Sequence, residues 1–563
     1  MPTIQFKGKN IIWNHHLSVP YHTLEEVEDL HFQPEKADSN IIVEGDNLIA
    51  LKALLPQYAG KIKCVYIDPP YNTGNEGWVY NDNVNNPMIK EWLGKEVGAD
   101  DLTKHDKWLC MMTPRLQLLR DLLSIDGVIF ISINDNELSY LRNICDEIFG
   151  EHNFVAVLPR ITKKAGKTTG SIAKNNDYIV IYKRDENLEL SNIEIDEESY
   201  NLKDEYVDSR GKHKLTQTLD YGSIQYSPSL DYEIELDGHV FRPGGVSAEE
   251  MRKRQFRNPK SDWCWRWCPK LFEFGLKNGF IEIKESRNGK RVYTKTYLGA
   301  TIKKHQGDYY LEQFKREKKP TTLEFIKNKY SNDNSRKEIE KIFGYKAFDY
   351  SKPSVLIAEL IKLSNDEDAI ILDSFAGSGS TMHAVNEINK NHGGNRKCIL
   401  VQMTEESEQE PDKNICKDIT RERNKLAIEK FDYDIGFKYY RVGNAIDPEA
   451  MLDGELPNYE EFAKYVYYLG TGEHLEKVEK IDVPNYFVGT HGPKNIYLIY
   501  KQDFDKLSRM ALNLHIAEQI IEHSKGKRII IYAPACFLDN EYLDEKQIEF
   551  VSIPYNLFEK SQK

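Results

Sequence analysis

A strand-like segment that runs into two consecutive prolines constrains the fold of this chain more than any other feature. Residues 63–67 read Lys-Cys-Val-Tyr-Ile, and Asp68, Pro69, Pro70 and Tyr71 follow directly. Proline fixes φ at about −65° and lacks a backbone N–H, so a central strand ends here. We expect the carbonyls of this turn to point outward without backbone partners, beside an acidic side chain and an aromatic ring. Such a turn suits a planar base that carries an exocyclic amine.

A second strand-like segment lies far downstream and opens into a glycine-rich turn. It ends at Asp373, and the segment Phe375-Ala376-Gly377-Ser378-Gly379 leads into a helix-like segment. The turn lacks the third glycine of a dinucleotide fingerprint and the Gly-Lys-Ser/Thr ending of a P-loop. Asp373, together with Glu405 beyond the next strand, is placed to accept hydrogen bonds from a ribose. The pattern predicts a nucleoside site without phosphate, and a turn that merely joins strand to helix is the alternative.

Apolar strands alternate with helices on both sides of a long interruption. The alternation covers 40–184 and 351–445, which predicts an α/β fold with a doubly wound, mostly parallel sheet. Residues 185–350 contain short strands and turn clusters and predict an inserted domain. Residues 1–39 form an N-terminal extension, and 446–563 predict a separate C-terminal α/β domain.

Composition excludes several classes of protein. The 563 residues contain no uncharged apolar run of roughly 18 residues, the length that crosses a bilayer. The first residues lack the layout of a secretion signal, so we expect a soluble cytoplasmic protein without membrane contact. Of the eight cysteines, only Cys264 and Cys268 lie close together, and their spacing is not that of a zinc site. No metal is expected.

Although the net charge of the chain is −13, one segment is strongly basic. Residues 241–330 contain 22 Lys and Arg against 10 Asp and Glu, as expected if one face of an acidic protein meets phosphate. The run Arg252–Arg257 is the better candidate for that contact, a solvated charged face being the alternative. The alternate positions Trp263, Trp265 and Trp267 share one face of a strand, where packing is the expected role.

Together these motifs resemble the DNA amino-methyltransferases that use S-adenosylmethionine. The order of motifs, with an insert between them, resembles the β group of adenine-N6 enzymes. More closely, Ile67-Asp68-Pro69-Pro70-Tyr71-Asn72-Thr73-Gly74, Gly127–Ile133, Lys352-Pro353 and Asp373–Thr381 resemble the modification subunit of type III restriction-modification systems. The similarity covers about 40–184 and 350–405, whereas the insert matches only by position. Ser380 departs from the commoner threonine.

The resemblance implies a Rossmann-like methyltransferase sheet, an inserted target-recognition domain and a set of cofactor contacts. Glu44-Gly45-Asp46-Asn47 resembles the family's acidic motif, which implies that Asp46 lies in the cofactor pocket. Lys352-Pro353 resembles the family's segment that closes over the methionine end of the cofactor, which implies that Lys352 contacts the cofactor. The same resemblance implies cofactor contacts for Asp373, Phe375, Gly377, Gly379 and Glu405.

The chemistry expected at the proline turn is methyl transfer to a base flipped out of double-stranded DNA. Asp68 and the Pro69 carbonyl accept the two N–H bonds of the adenine N6, and Pro70 completes the turn. Tyr71 stacks on the base, and by resemblance Tyr178 covers its other face, an ordinary core tyrosine being the alternative. The transfer is direct and in line, without a metal or a covalent intermediate.

Three other functions stay open at this stage. A cytosine-N4 methyltransferase uses the same pocket, although serine more often replaces Asp68 in that family. A non-methylating adenosine-nucleotide enzyme is possible on the glycine turn alone and would bind no DNA. A catalytically silent DNA-binding specificity protein is the non-enzyme alternative, against which the intact turn from Asp68 to Tyr71 speaks. The resemblance implies that the C-terminal domain contacts a second copy of the chain, giving a homodimer, or a nuclease and helicase restriction subunit.

Overall fold

The chain divides into two compact units. The first comprises Met1–Ser191 and Thr321–Lys563, and the second is Asn192–Pro320. The second unit lies inside the predicted insert 185–350, and residues 321–350 belong to the first. The computed structural model describes residues 3–73, 103–164, 172–195, 197–222, 225–286, 289–405, 414–446, 456–475 and 477–553.

The strands and helices are numbered in chain order over the described residues. The strands are β1 Tyr21–Glu26, β2 Ile41–Glu44, β3 Ile62–Ile67, β4 Leu123–Ile133, β5 Phe154–Ile161, β6 Asn176–Lys183, β7 Ile193–Glu194, β8 His213–Thr218, β9 Asp220–Tyr221, β10 Ile234–Leu236, β11 His239–Phe241, β12 Cys264–Trp265, β13 Ile281–Ser286, β14 Gly289–Tyr297, β15 Ala300–His305, β16 Asp308–Gln313, β17 Glu317–Lys318, β18 Ile370–Asp373, β19 Lys397–Gln402, β20 Lys438–Ile446, β21 Phe487–His491, β22 Lys494–Leu498, β23 Arg528–Ala533 and β24 Ile548–Ser552. The α-helices are α1 Lys9–Ile12, α2 His15–Ser18, α3 Asn47–Tyr58, α4 Lys104–Leu122, α5 Leu138–Phe149, α6 Val207–Arg210, α7 Ala248–Arg257, α8 Pro269–Lys277, α9 Asn332–Phe343, α10 Ser354–Lys362, α11 Ser380–His392, α12 Glu422–Phe431, α13 Tyr459–Thr471, α14 Phe504–Leu507, α15 Leu514–Ser524 and α16 Asn540–Glu545.

A nine-stranded sheet forms the centre of the first unit, in the order β1-β20-β2-β19-β18-β3-β4-β6-β5. The strands from β20 to β4 run parallel, whereas β1 and the pair β6 and β5 are antiparallel to their neighbours. The central strands are almost wholly buried, as a sheet covered by helices on both faces requires. The predicted doubly wound, mostly parallel α/β fold is confirmed.

The strands that carry the two motifs are neighbours. In β18, Ile371 and Leu372 pair with Cys64 and Val65 of β3. From β3 the chain moves to β4 on one side, and from β18 it moves to β19 on the other side. The carboxyl ends of β3 and β18 therefore meet at a topological switch point, where ligands of such sheets bind.

The C-terminal segment forms a second, smaller α/β layer within the first unit. Its sheet has the order β21-β22-β23-β24, with the last three strands parallel. Helix α13 packs on α3, and the ring of Tyr465 stacks on Tyr21 with their centroids 4.3 Å apart. Among the described residues, no helix has the length and apolarity needed to span a bilayer.

The second unit contains short sheets around a small apolar core. Its largest sheet has the order β13-β14-β8. Trp265 is buried in the core and Trp267 packs against it, whereas Trp263 is 37% exposed. The expectation that the three tryptophans share one face of a strand is wrong, because β12 includes only Trp265, but the packing role is confirmed for Trp265 and Trp267.

Candidate active site

Asp68 is the first residue after β3, and its two carboxylate oxygens differ in their surroundings. Oδ2 pairs with Nζ of Lys352, whereas Oδ1 is buried and accepts no hydrogen bond from the described residues. Nζ of Lys352 also lies 4.9 Å from the centroid of the Tyr71 ring. An unpartnered buried acceptor costs about 1–3 kcal/mol, which a donor on a ligand would recover. Oδ1 of Asp68 is therefore a ready acceptor for a ligand N–H group.

The two proline carbonyls differ as well. The Pro70 carbonyl accepts a hydrogen bond from Nε1 of Trp108 at 2.7 Å. The Pro69 carbonyl accepts none from any residue that the structure describes. The expectation that the carbonyls of this turn lack partners is therefore wrong for Pro70, because a buried indole needs an acceptor.

Tyr71 is held from behind by a buried ion pair. Its hydroxyl donates to Oδ2 of Asp177 at 3.2 Å, and burial raises the pKa of this phenol well above its usual value. Arg160 is fully buried, and its guanidinium donates hydrogen bonds to both carboxylate oxygens of Asp177, with Nε 2.7 Å from Oδ1. Sequence reasoning missed Arg160 and Asp177. The available signal was a pair of opposite charges within otherwise apolar strands.

Asn72 ends the turn in a left-handed conformation, with φ of 55°. Its side chain is fully buried and donates to Oε1 of Glu137 at 2.5 Å and to the Lys104 carbonyl at 3.0 Å. These bonds fix the end of the turn against α4 and α5. Gly74, the last residue of the resembling motif, lies outside the described residues.

The glycine turn packs too tightly for larger residues at one position. Gly377 and Gly379 have φ of 51° and 77°, and a Cβ on Gly379 would lie 2.4 Å from Nδ2 of Asn424. The Gly377 amide donates to Oε1 of Gln402 at 2.7 Å. The turn is therefore held open in one conformation at the N-terminus of α11. Ser380, the first residue of that helix, donates to the Lys352 carbonyl at 2.8 Å and so joins the turn to the residue that pairs with Asp68.

Asp373 uses its carboxylate inside the turn. Oδ1 accepts the Phe375 amide at 3.0 Å, and Oδ2 accepts the Thr381 hydroxyl at 2.5 Å. Burial raises the pKa of Asp373 to about 7, although the Thr381 hydrogen bond opposes the shift. The role of Asp373 toward a ribose stays a prediction, and the observed bonds show that it shapes the turn.

The other predicted cofactor contacts surround the same turn. Asp46 caps α3 by accepting the Leu48 amide at 2.8 Å, and the neighbouring Asn47 donates to the Ser374 carbonyl at 3.1 Å. Phe375 is half-buried against the core, and Glu405 is exposed and accepts from Gln402 at 2.9 Å. Lys352 differs, because its side chain is directed to Asp68.

A buried arginine that sequence reasoning also missed braces the glycine turn. Arg423 donates to the hydroxyls of Ser378 and Ser380 at 2.7 and 2.5 Å, and to Oε1 of Glu338 at 2.7 Å. Burial opposes ionisation of Glu338, but the Arg423 charge together with His383 and the Ser354 amide outweighs it and lowers the pKa of that carboxyl to about 2. Glu338 lies on α9, which explains why residues 321–350 belong to the first unit.

The arrangement defines a doubly wound α/β protein with a candidate ligand site at its switch point, built from a glycine turn and an acidic proline turn. A family model described as DNA methylase matches residues 62–413, more than half of the chain. The chain belongs to that family.

Several curated relatives are similar over most of this chain. The Mod subunit of the type III restriction-modification enzyme EcoPI, from Escherichia phage P1, is 31% identical over 69% of this chain and 61% of its own length. The StyLTI Mod subunit of Salmonella typhimurium is 30% identical, over 74% and 62%. The type II methyltransferase M.KpnI of Klebsiella pneumoniae is 30% identical, over 67% and 84%. The chain thus spans about three fifths of the length of the first two.

Solved structures show a weaker likeness. The M1.HpyAVI complex with SAM is 10% identical, with 70% of this chain and 99% of that chain covered and a TM-score of 0.27. The PvuII cytosine-N4-specific DNA methyltransferase is 13% identical, with 71% and 97% covered and a TM-score of 0.26. Likenesses at this level say nothing about ligand or reaction.

Proposed function

We propose that this chain transfers a methyl group from S-adenosylmethionine to N6 of an adenine flipped out of double-stranded DNA. The observation that carries the proposal is the buried Oδ1 of Asp68 at the switch point, which, like the adjacent Pro69 carbonyl, has no hydrogen-bond partner among the described residues. Two acceptors match the two N–H bonds of an exocyclic amine. Membership of the DNA methylase family supports the same reaction class.

The glycine turn fits the cofactor. The Ser374 hydroxyl is buried and has no hydrogen-bond partner among the described residues, and Gly377 and Gly379 let a ligand approach the backbone. Asp46, Phe375 and Glu405 would complete the pocket around a nucleoside. When bound there, S-adenosylmethionine would supply an electrophilic methyl group for transfer, with its sulfonium sulfur as the leaving group.

The residues of the proline turn would hold and deprotonate the amine. Asp68 and the Pro69 carbonyl accept the N6 hydrogens and so direct the nitrogen lone pair away from the ring. Asp68 then takes the proton that N6 loses on methylation and passes it to solvent. Stacking on Tyr71 offsets part of the cost of flipping the base, by about 1–3 kcal/mol.

Lys352 occupies the place of the incoming base. Its ammonium group pairs with Oδ2 of Asp68, beside the Oδ1 that would accept the amine, and lies 4.9 Å from the centroid of the Tyr71 ring on which the adenine would stack. We therefore expect the Lys352 side chain to move away when the base enters. Its predicted contact with the methionine end of the cofactor is compatible with that movement.

The decisive experiment measures transfer of a labelled methyl group to DNA. Purified chain is incubated with labelled S-adenosylmethionine and genomic DNA from cells that lack the gene, and the nucleosides are then separated. We expect label in N6-methyladenine, and a loss of about 10²–10³-fold in rate for Asp68→Ala. Asp434→Ala, a substitution of an exposed carboxylate paired with Lys36, is the control and should keep wild-type activity.

The product decides between the open alternatives. If the label is found in N4-methylcytosine, the target base is cytosine and not adenine. DNA without label, or an undiminished rate in Asp68→Ala, would falsify the proposed mechanism.

We further propose that the chain acts as the modification subunit of a restriction-modification system. The EcoPI and StyLTI relatives are named as Mod subunits, which supports a restriction subunit as a separate partner. A homodimer stays a prediction from the resemblance. Sedimentation of the purified chain alone tests the dimer, and co-purification with a co-expressed restriction subunit tests the partner.

A further inference from the structure

We infer that one face of helix α7, in the second unit, contacts duplex DNA. This α7 face consists of Arg252, Lys253, Phe256 and Arg257, all exposed to solvent. The inference rests on the proposed DNA substrate and adds to it the element that meets the duplex.

A highly exposed aromatic ring marks the α7 face. Phe256 is 93% exposed, more than any other large apolar side chain in the described residues. A fully solvated phenyl ring gains nothing for folding, because apolar burial is what stabilises such a side chain. Its position therefore calls for a binding partner rather than a structural role.

The cations beside the ring are available. Arg252 and Arg257 make no ion pair with any described residue, whereas Lys253 pairs with Glu249 at 2.7 Å. Arg252 and Phe256 are four residues apart and share one side of the helix, as do Lys253 and Arg257. Free guanidinium groups flanking an apolar ring suit phosphates on either side of a base step, which favours DNA over an apolar protein surface.

The helix that presents this face is rigidly anchored. Arg254 is buried, and its guanidinium binds both oxygens of Asp231 at 2.6 and 2.9 Å. At the N-terminus, Ser247 and Glu250 form a capping box. Arg254, part of the run favoured for phosphate contact, is thereby excluded from that role, and the remaining cations are held on one side. A groove of about 630 Å³ lies along the helix, lined in part by Val246, Arg252, Phe256 and Asp262.

The test separates the ring from the charges by salt dependence. Binding of the full chain to a fluorescein-labelled mixed-sequence duplex is followed by anisotropy over a salt series. Arg252→Gln with Arg257→Gln should lower the slope of log K against log salt by about two, one for each phosphate that is no longer neutralised. Phe256→Ala should weaken binding by about tenfold at fixed salt and leave the slope unchanged, because stacking involves no counterions.

Matched substitutions elsewhere on the surface serve as controls. Lys525→Gln with Lys527→Gln removes two exposed charges, and Phe537→Ala removes a ring that is 78% exposed. Neither should alter affinity or slope. The inference is overturned if the α7 variants bind as wild type does, or if the controls reduce the slope equally. Methyl transfer is assayed separately, so wild-type methylation with unaltered DNA binding by the α7 variants would refute the α7 contact alone.

Discussion

At the scale of single residues, the position of Tyr71 depends on a buried charge pair behind its ring. Asp177 accepts from the Tyr71 hydroxyl and is itself held by two nitrogens of Arg160, which also donates to the Tyr330 carbonyl at 2.9 Å. Because Arg160 has no access to solvent, its charge is tolerated only through these partners. The pair thus orients the Tyr71 ring and should stabilise the fold.

Removal of Asp177 should be costly. Asp177→Ala leaves the Arg160 guanidinium buried without a counter-ion, and we expect a destabilisation of about 3–5 kcal/mol. Urea denaturation followed by tryptophan fluorescence measures it. Asp434→Ala breaks the exposed pair with Lys36 and should leave the denaturation curve almost unchanged. If the two substitutions lower the free energy of unfolding equally, the buried pair contributes no more to stability than the exposed one.

At the scale of elements, the turns at the ends of β3 and β18 were predictable, but the strand that supports one of them was not. Two prolines and a glycine-rich segment are local signals, and both turns lie where the pattern indicates. Strand β5 was not assigned from the sequence, since Pro159 breaks its alternation and an edge strand tolerates proline. It carries Arg160, so the charge pair behind Tyr71 was missed together with its strand.

The glycine turn offers a prediction with a close control. Gly379→Ala places a Cβ against Asn424 in a residue with φ of 77°, and Gly472→Ala meets a similar φ of 74° with no atom within 4 Å. Both substitutions incur the cost of a left-handed alanine, about 1–2 kcal/mol. Only Gly379→Ala should also weaken binding of S-adenosylmethionine, by at least about tenfold, because the turn must shift. Calorimetric titration measures the binding, and equal affinities for the two variants would contradict the role of this turn.

At the scale of the whole molecule, the C-terminal segment shares a core with the start of the chain. Tyr21, on edge strand β1, packs in one cluster with Phe462, Tyr465 and Val466 of α13. The N-terminal residues therefore complete the central sheet and also bind the C-terminal layer to it. A separate C-terminal domain was expected, and the contacts place this layer in the same compact unit as the sheet.

This shared core should unfold together with the central sheet. Tyr465→Ala removes a ring that is 4% exposed and stacks on Tyr21, so we expect a loss of about 3–5 kcal/mol. Thermal unfolding followed by circular dichroism should show the main transition moving to lower temperature without splitting. Leu514→Ala, at a position that is 50% exposed, should leave it in place. A new early transition in Tyr465→Ala would instead show that the C-terminal layer unfolds on its own.

The sequence by itself determined the local chemistry of this protein. Strand ends, the proline turn, the glycine turn and the run of basic residues are each encoded by a few adjacent residues, because proline, glycine and charge act on the backbone and solvent close by. Asp68, Gly377 and Gly379 could therefore be named as site residues, with roles that stay predictions. The insert was also evident as a break in the alternation of strands and helices.

Only the tertiary structure decided which of these parts meet. Three contacts join residues that are far apart in the chain. They are the pairing of β3 with β18, the ion pair of Lys352 with Asp68 and the ion pair of Arg423 with Glu338. Such contacts have no local signature, because strand order and side-chain packing are settled by the burial of the whole sheet. The same packing directed Arg254 inward and left Phe256 exposed, which the run of basic residues alone did not distinguish.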